Sequence, residues 1–276
     1  MTTVAAALAA ARVTVAASEA RLLLSNVVSQ SIVWLTTHDD APLTADHLSQ
    51  FNVLVERRVN GEPIAYLLGY REFYGRSFRA TPAVLIPRPE TELLVESVLS
   101  RVGAGDTVDI LDLGTGSGCI AITLALERPF THITAVDASS EALAIAQGNA
   151  NALNAKIRLI ESDWFDTLGN EKFDVIVSNP PYIAQNDPHL EQGDLRFEPS
   201  SALSSGNDGL DALREIIDAA PRFLRSGGWL WLEHGYDQAE CVKKLLSSAS
   251  FPEIVQHQDL AGILRVSGGQ LRVGNL

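Results

Sequence analysis

The apolar run Val108–Leu113 leads directly into Gly114-Thr115-Gly116-Ser117-Gly118, and the next apolar run, Ile133–Val136, stops at Asp137. If both runs are strands, a glycine turn and a carboxylate stand side by side at the C-terminal edge of a sheet, where doubly wound folds bind ligands. The pattern continues. Ile157–Ile160, Phe173–Val177 and Trp229–Leu232 are further short apolar runs, and helical periodicity over 117–127, 140–153, 208–225 and 237–248 lies between or after them. With one strand-to-strand exception, this alternation requires right-handed crossovers and a mainly parallel sheet covered on both faces. Glu253–Gln258 and Ile263–Val266 flank Asp259-Leu260-Ala261-Gly262 and predict a closing antiparallel hairpin.

Ahead of the sheet the pattern is helical from Val4 to Val59. Leu8, Val15, Leu22, Leu23 and Val27 keep one face apolar; Phe51, Leu54, Val55 and Arg58 resume the spacing after a break at Pro42-Leu43-Thr44, with Thr44 as N-cap. No Lys or Arg precedes the Ala-rich stretch Val4–Ala11, which therefore reads as a helix rather than a signal peptide. Phe73, Tyr74, Phe78, Val84 and Leu85 with Gly75 and Pro82 predict a short hairpin between Glu72 and Ile86, and Pro89-Glu90-Thr91-Glu92 opens a helix to about Val102. The expected organisation is a helical domain over 1–70, a hairpin linker over 71–87 and a catalytic domain over 88–276.

With 46% hydrophobic residues among 276, disorder is excluded, and no apolar run reaches membrane-spanning length, so a soluble, cytoplasmic protein without a membrane partner is expected. Cys119 and Cys241, 122 positions apart, form neither a disulfide framework nor a zinc motif. Net charge is −13. Residues 1–80 balance seven Arg against seven acids, whereas the remainder holds 14 basic and 27 acidic residues, which works against binding nucleic acid.

A dinucleotide fingerprint needs a glycine where Cys119 stands, so the glycine turn fits a different nucleoside. Asp137 can accept from both ribose hydroxyls while the glycines admit the ligand close to the backbone, a pocket that suits S-adenosylmethionine. Asp163-Trp164, just after the third strand, offers an indole for an adenine face and a carboxylate for its amino group. The plainer alternatives are a tight turn with a solvated Asp137 and a core Trp164.

The fourth strand ends in Asn179-Pro180-Pro181-Tyr182. Two prolines without N–H groups leave rigid carbonyls free to accept, and Asn179 adds a donor and an acceptor. An amide or aniline-like nitrogen is a weak nucleophile because its lone pair is delocalised. If Asn179 and the Pro180 carbonyl hold its two hydrogens, the lone pair can turn toward an electrophilic methyl, with Tyr182 stacked on the substrate and favouring the developing positive charge. The alternative is a proline-rich strand exit with Tyr182 in the core. Taken with the glycine loop, the turn predicts an amino-methyltransferase. Arg88 and Glu90 read either as a surface ion pair at a helix start or as groups near the cofactor. His189, Glu191, Asp194 and Arg196 fall in a long polar loop, a candidate lid or rim, and do not make a metal site.

Arg57-Arg58 with Gly61-Glu62-Pro63-Ile64-Ala65-Tyr66, Glu72-Phe73, Leu85-Ile86-Pro87-Arg88-Pro89-Glu90-Thr91-Glu92, Asp112 to Gly118, Ser162-Asp163-Trp164-Phe165, Asn179 to Ile183 and Arg196-Phe197-Glu198-Pro199 together resemble the HemK family, glutamine N5-methyltransferases of peptide chain release factors. The resemblance spans about residues 19–266. It implies a Rossmann-like class I S-adenosylmethionine-dependent methyltransferase sheet with a small N-terminal helical domain that helps grip the protein substrate. It also implies cofactor contacts from Gly114, Thr115, Gly116, Ser117, Gly118, Asp137, Asp163, Trp164 and Asn179. Asn179, Pro180, Pro181 and Tyr182 would hold the glutamine of a Gly-Gly-Gln loop, with Asn179, Pro180 and Tyr182 catalytic. A branch acting on a ribosomal protein, nucleic-acid amino-methyltransferases that share Asn-Pro-Pro-Tyr, and a non-catalytic cofactor-binding module are the alternatives; the last has no use for an amide clamp. The chain also contains Gly268-Gly269-Gln270, the tripeptide that the family's substrates present; chance would produce it on the order of once in twenty chains of this length, and it is expected to be a coincidence.

Overall fold

The computed structural model describes residues 2–272 and divides into two compact units, Met1–Tyr70 and Arg71–Leu276. The outermost limits expected for the domains, 1 and 276, lie outside the described residues. The first unit holds α1 (Val4–Ala11), α2 (Ala17–Val28), α3 (Ile32–Thr37), α4 (Ala45–Val59) and α5 (Ile64–Leu68). Short hydroxyl side chains start three of them: Thr3, Ser31 and Thr44 accept from the N–H three residues on, satisfying donors that a helix start leaves free. Val4, Leu8, Leu23, Leu24, Leu35 and Phe51 form this unit's core. Arg58, in the last turn of α4, donates to Glu19 of α2 at 2.9 and 3.1 Å and to the Glu62 carbonyl at 3.1 Å, tying the helices together at their polar edge.

A hairpin follows, β1 (Tyr70–Phe73) and β2 (Arg76–Arg79). Expected as a linker, it is instead built into the core of the second unit. Two strands of four residues cannot bury two phenylalanines between themselves. Phe73 and Phe78, edge-on with centroids 6.0 Å apart, pack with Leu94 and Val98 of α6 (Glu92–Leu99).

From there the chain alternates as expected: β3 (Asp109–Leu113), α7 (Cys119–Glu127), β4 (His132–Asp137), α8 (Ser140–Leu153), β5 (Ile157–Glu161), β6 (Phe173–Ser178), α9 (Asp211–Ala219), β7 (Leu224–Glu233), α10 (Ala239–Ser248), β8 (Glu253–Gln258) and β9 (Leu264–Gln270). Among the described residues these strands make a seven-stranded sheet in the order β5-β4-β3-β6-β7-β9-β8, parallel except for β9, which runs antiparallel between β7 and β8. Ile110, Val175 and Val177 face α6 and α7, while Leu111, Leu113 and Ile176 pack with Leu213 and Ile216 of α9 and Val242 and Leu246 of α10. The chain steps outward from β3 to β4 and β5, then returns to the other side of β3 with β6. The crevice at that reversal is where such sheets bind ligands.

Several element limits differ from the sequence pattern, and two of them have an identifiable backbone cause. The helix expected over 208–225 runs from Asp211 to Ala219 and gives way to a 3-10 turn, Ala220–Arg222, because Pro221 has no N–H with which to continue the helical ladder. β7 starts five residues earlier than expected; Gly227, at φ +78°, interrupts the alternation that would have marked its first half.

Gly268-Gly269-Gln270 ends β9, paired on both sides. A Cβ on Gly268 would come within 2.3 Å of the Trp231 ring and one on Gly269 within 2.9 Å of Phe251, so packing accounts for both glycines. The Gln270 amide donates to the Gly227 carbonyl at 2.8 Å.

Candidate active site

A cavity of about 570 Å³ opens at the C-terminal edge of β3, β4, β5 and β6. A larger, shallower depression of about 1270 Å³ lies at the opposite edge, around Asp109, His132 and Ile157, and holds none of the motif residues.

Gly114, at φ +68°, begins the turn after β3, and Gly118, at φ +79°, ends it and delays α7 until Cys119. The Thr115 N–H donates to the Val136 carbonyl at 2.9 Å and its hydroxyl to Asp112 at 2.7 Å, fixing the turn to β4 and to the sheet beneath. Asp112 is fully buried, and burial pushes its carboxyl up to about 7 against the Thr115 hydrogen bond. Gly118 does not line the cavity. A Cβ there would meet Ile122 at 2.9 Å and Ala146 at 3.2 Å, so this glycine serves the packing of α7 on α8.

Asp137 ends β4 with both oxygens engaged once: Oδ2 accepts the Gly116 N–H at 2.8 Å and Oδ1 the Ser139 N–H at 2.9 Å. Burial raises its carboxyl, and these two backbone donors oppose the rise. Each oxygen keeps a lone pair directed to a further donor. A carboxylate held in this way beside a glycine turn fits the paired hydroxyls of a ribose. Trp164, after β5, adopts φ +40°, rare for a bulky residue, and lies against Gly114, whose Cβ would stand 3.4 Å from the ring. It is half-buried, lining the cavity on one side and packing on the sheet's second core on the other, so the cofactor and core readings both describe it. Asp163 is exposed at the cavity wall. The residues present therefore fit S-adenosylmethionine, with Asp137 for the ribose and Trp164 with Asp163 for the adenine.

The turn after β6 brings Asn179 and Pro181 to the same cavity. The Ser178 hydroxyl donates to the Leu113 carbonyl at 2.8 Å, fixing the base of the turn to β3. Asn179 Nδ2 donates to Thr91 Oγ1 at 3.2 Å. Pro180 is buried and does not line the cavity. Tyr182 is also outside it: its hydroxyl donates to Glu233 Oε1 at 3.4 Å, and its carbonyl accepts from Gln238 Nε2 at 2.9 Å. Burial, then the nearby Glu233 charge, raises the phenol well above its ordinary range. Gly209, at φ +76°, passes so close that a Cβ would sit 2.3 Å from the Tyr182 carbonyl oxygen, which pins the returning loop beneath the turn.

Three groups escaped the sequence reading. Glu198, its side chain wholly buried, accepts the Ile86 N–H at 2.9 Å and pairs with Arg88. Of the two readings of Arg88 and Glu90, the surface ion pair does not form: Arg88 lines the cavity and pairs with Glu198, joining two cavity walls, residues 82–88 and 199–202, because burying a carboxylate demands a charged partner, while Glu90 is exposed outside the cavity. Thr91 and Glu233 are the others, both 2% exposed beside Asn179 and Tyr182. In the expected rim, His189 pairs with Asp187 at 2.6 Å on the surface, and the Arg196 guanidinium lies 4.9 Å from the Phe197 ring.

A parallel sheet reversed at β3, a glycine turn with its carboxylate and a rigid Asn-Pro-Pro-Tyr exit define a Rossmann-like methyltransferase, and the comparisons agree. Residues 89–195 match the methyltransferase small domain and residues 1–69 the PrmC N-terminal domain. A Pyrococcus furiosus methyltransferase shares the fold at TM-score 0.56 and 17% identity over 79% of this chain and 98% of its own, as does a T. thermophilus 16S rRNA methyltransferase at TM-score 0.56 and 21% identity over 74% and 50%. The release factor glutamine methyltransferase of Bordetella pertussis (strain Tohama I) is 51% identical over 92% of this chain and 94% of its own, and that of Burkholderia pseudomallei (strain K96243) 48% identical over 92% of each. The chain belongs to the release factor glutamine methyltransferase family.

Proposed function

We propose that this enzyme methylates the side-chain amide nitrogen of the glutamine in the Gly-Gly-Gln loop of peptide chain release factors, using S-adenosylmethionine. The observation that carries the reading is the meeting, in one cavity, of Asn179 and Pro181 with Asp137 and Trp164, in a chain that matches its relatives over almost its whole length. When bound, S-adenosylmethionine supplies an electrophilic methyl group. Asn179, which lines the cavity, takes one hydrogen of the glutamine NH₂, and Pro180, buried in the same turn, is assigned the other through its carbonyl, turning the nitrogen lone pair out of conjugation and toward the cofactor side. Two consecutive prolines keep these acceptors rigid. Tyr182, outside the cavity with its hydroxyl on Glu233, backs the turn. No strong base is required first, because the alkylated nitrogen becomes acidic and sheds its proton afterwards.

The first unit would grip the protein substrate, and residues 88–276 would carry the chemistry. A protein substrate rather than nucleic acid is supported by the acidic balance beyond residue 80, 14 basic against 27 acidic. A substrate that works in translation supports a cytoplasmic location, and no helix among the described residues is long and apolar enough to cross a membrane.

Asn179→Ala removes the acceptor that takes one hydrogen of the glutamine NH₂. Single-turnover transfer to a release factor is expected to fall about 10²- to 10³-fold, with cofactor affinity changing far less. Near-normal transfer would remove Asn179 from the clamp, and loss of cofactor binding alone would make it a cofactor ligand.

A further inference from the structure

The proposed chemistry needs the Asn179 carboxamide to face its substrate with the correct end, and an amide offers a donor and an acceptor of nearly the same shape. The structure holds a means of choosing between them. One residue beyond the Ser178–Leu232 pair of the β6–β7 ladder, Glu233 is buried beside Asn179. Its Oε1 accepts from Tyr182, its Oε2 is buried with no hydrogen-bond partner among the described residues, and the neighbouring Thr91 hydroxyl favours its charged form. Thr91 Oγ1 in turn receives Asn179 Nδ2 at 3.2 Å.

A threonine hydroxyl has a single hydrogen. If Glu233 takes it, Oγ1 has only lone pairs to offer, so Asn179 must turn its NH₂ toward Thr91 and present Oδ1 to the cavity. If that hydrogen is free, it can bond to Asn179 Oδ1. The Asn179 NH₂ then meets the glutamine NH₂, donor against donor.

We propose that Glu233 and Thr91 form a positioning relay that holds Asn179 Oδ1 toward the glutamine NH₂, with ionised Glu233 setting the direction of the Thr91 hydroxyl. The relay rests on the reading of Asn179 as an amide clamp. It also carries a pH dependence. Burial pushes the Glu233 carboxyl up to about 7; the Thr91 and Tyr182 hydroxyls oppose this, Glu90 of the same turn as Thr91 adds to it, and Arg265 of β9 opposes it. Burial, with the nearby Asp112 and Glu233 charges, pushes the Cys119 thiol of α7 up to about 12, so it stays neutral through this range. Below neutral pH a protonated Glu233 can donate to Thr91 and release the Thr91 hydrogen toward Asn179.

The test follows single-turnover transfer to a release factor from pH 6 to pH 9 with saturating cofactor, and the side-chain NH₂ signal of Asn179 by NMR in the same range. In the wild type the rate should fall, and the Asn179 signal should shift, as pH drops through about 7. Thr91→Val should lower the maximal single-turnover rate constant about tenfold, with little change in the release-factor concentration that gives half of it, and abolish both pH effects, and Thr91→Ser should restore them. Glu233→Gln should remove the titration while cofactor binding, measured by calorimetry, stays normal. Any of three results overturns the relay: wild-type behaviour in Thr91→Val, failure of Thr91→Ser to restore it, or a titration that survives Glu233→Gln. Absence of transfer by the wild type would instead overturn the proposed function, and the NMR titration would still decide for or against the relay.

Discussion

Each oxygen of Asp137 already accepts one backbone N–H, so the carboxylate is fixed before a ligand arrives and loses little freedom on binding. Charge-assisted bonds of this kind contribute about 1.5–3 kcal/mol. Asp137→Ala is therefore expected to weaken S-adenosylmethionine roughly 10- to 100-fold with the fold intact, and unchanged affinity by calorimetry would remove Asp137 from the site. Asp112, one strand over, has a different part. Its carboxyl, like that of Glu233, is pushed up to about 7 by burial. Between about pH 4 and 7 the folded chain keeps protons that the unfolded chain has released. The stability these groups contribute is complete below that range and is lost as pH rises through about 7, at about 1.4 kcal/mol per pH unit for each. Asp112→Asn retains an acceptor for Thr115 and removes one titration, so its unfolding midpoint, followed by calorimetry, should decline less between about pH 5 and 8 than the wild type's. Asp137 and Asn179 could be read from the sequence because each ends a strand inside a local motif. Thr91 and Glu233 could not: Thr91 meets Asn179 across 88 residues, and its place in a helix-opening turn already explained its presence.

At the scale of elements, strands and helices were legible where apolar periodicity ran unbroken, as in β3 through β6. They were misread where one residue forced the backbone, with Pro221 shortening α9 and Gly227 hiding the start of β7. The loop between β6 and α9 had no period to read, yet it is tied down. Ile183 exchanges backbone hydrogen bonds with Leu203 and Ser205, each at 2.9 Å, and Glu198 fastens the far side to Ile86 and Arg88. That fastening joins two walls of the cofactor cavity. Glu198→Ala leaves the Ile86 N–H without its acceptor and Arg88, 29% exposed, without its counter-charge. A loss of about 2–3 kcal/mol is expected in chemical denaturation, together with weaker cofactor binding; a loss of stability with unchanged affinity would separate the fastening from the cavity.

The molecule as a whole carries the tripeptide that its proposed substrates present, and the sheet determines what becomes of it. Gly268-Gly269-Gln270 is held by ladders to β7 and β8, with its glycines against Trp231 and Phe251 and the Gln270 amide on the Gly227 carbonyl. After the native protein is incubated with S-adenosylmethionine, peptide mass spectrometry is expected to find no methyl on Gln270, and a stoichiometric mark there would contradict the pairing that holds its amide. The same arrangement gives the chain a memory. A copy whose last strand has come loose beside an active neighbour would become a substrate, and the carbon it acquires would remain after refolding. Trace methylation of Gln270 in a heated or aged preparation would then count past openings of the sheet, long after every spectrum had returned to that of the native state.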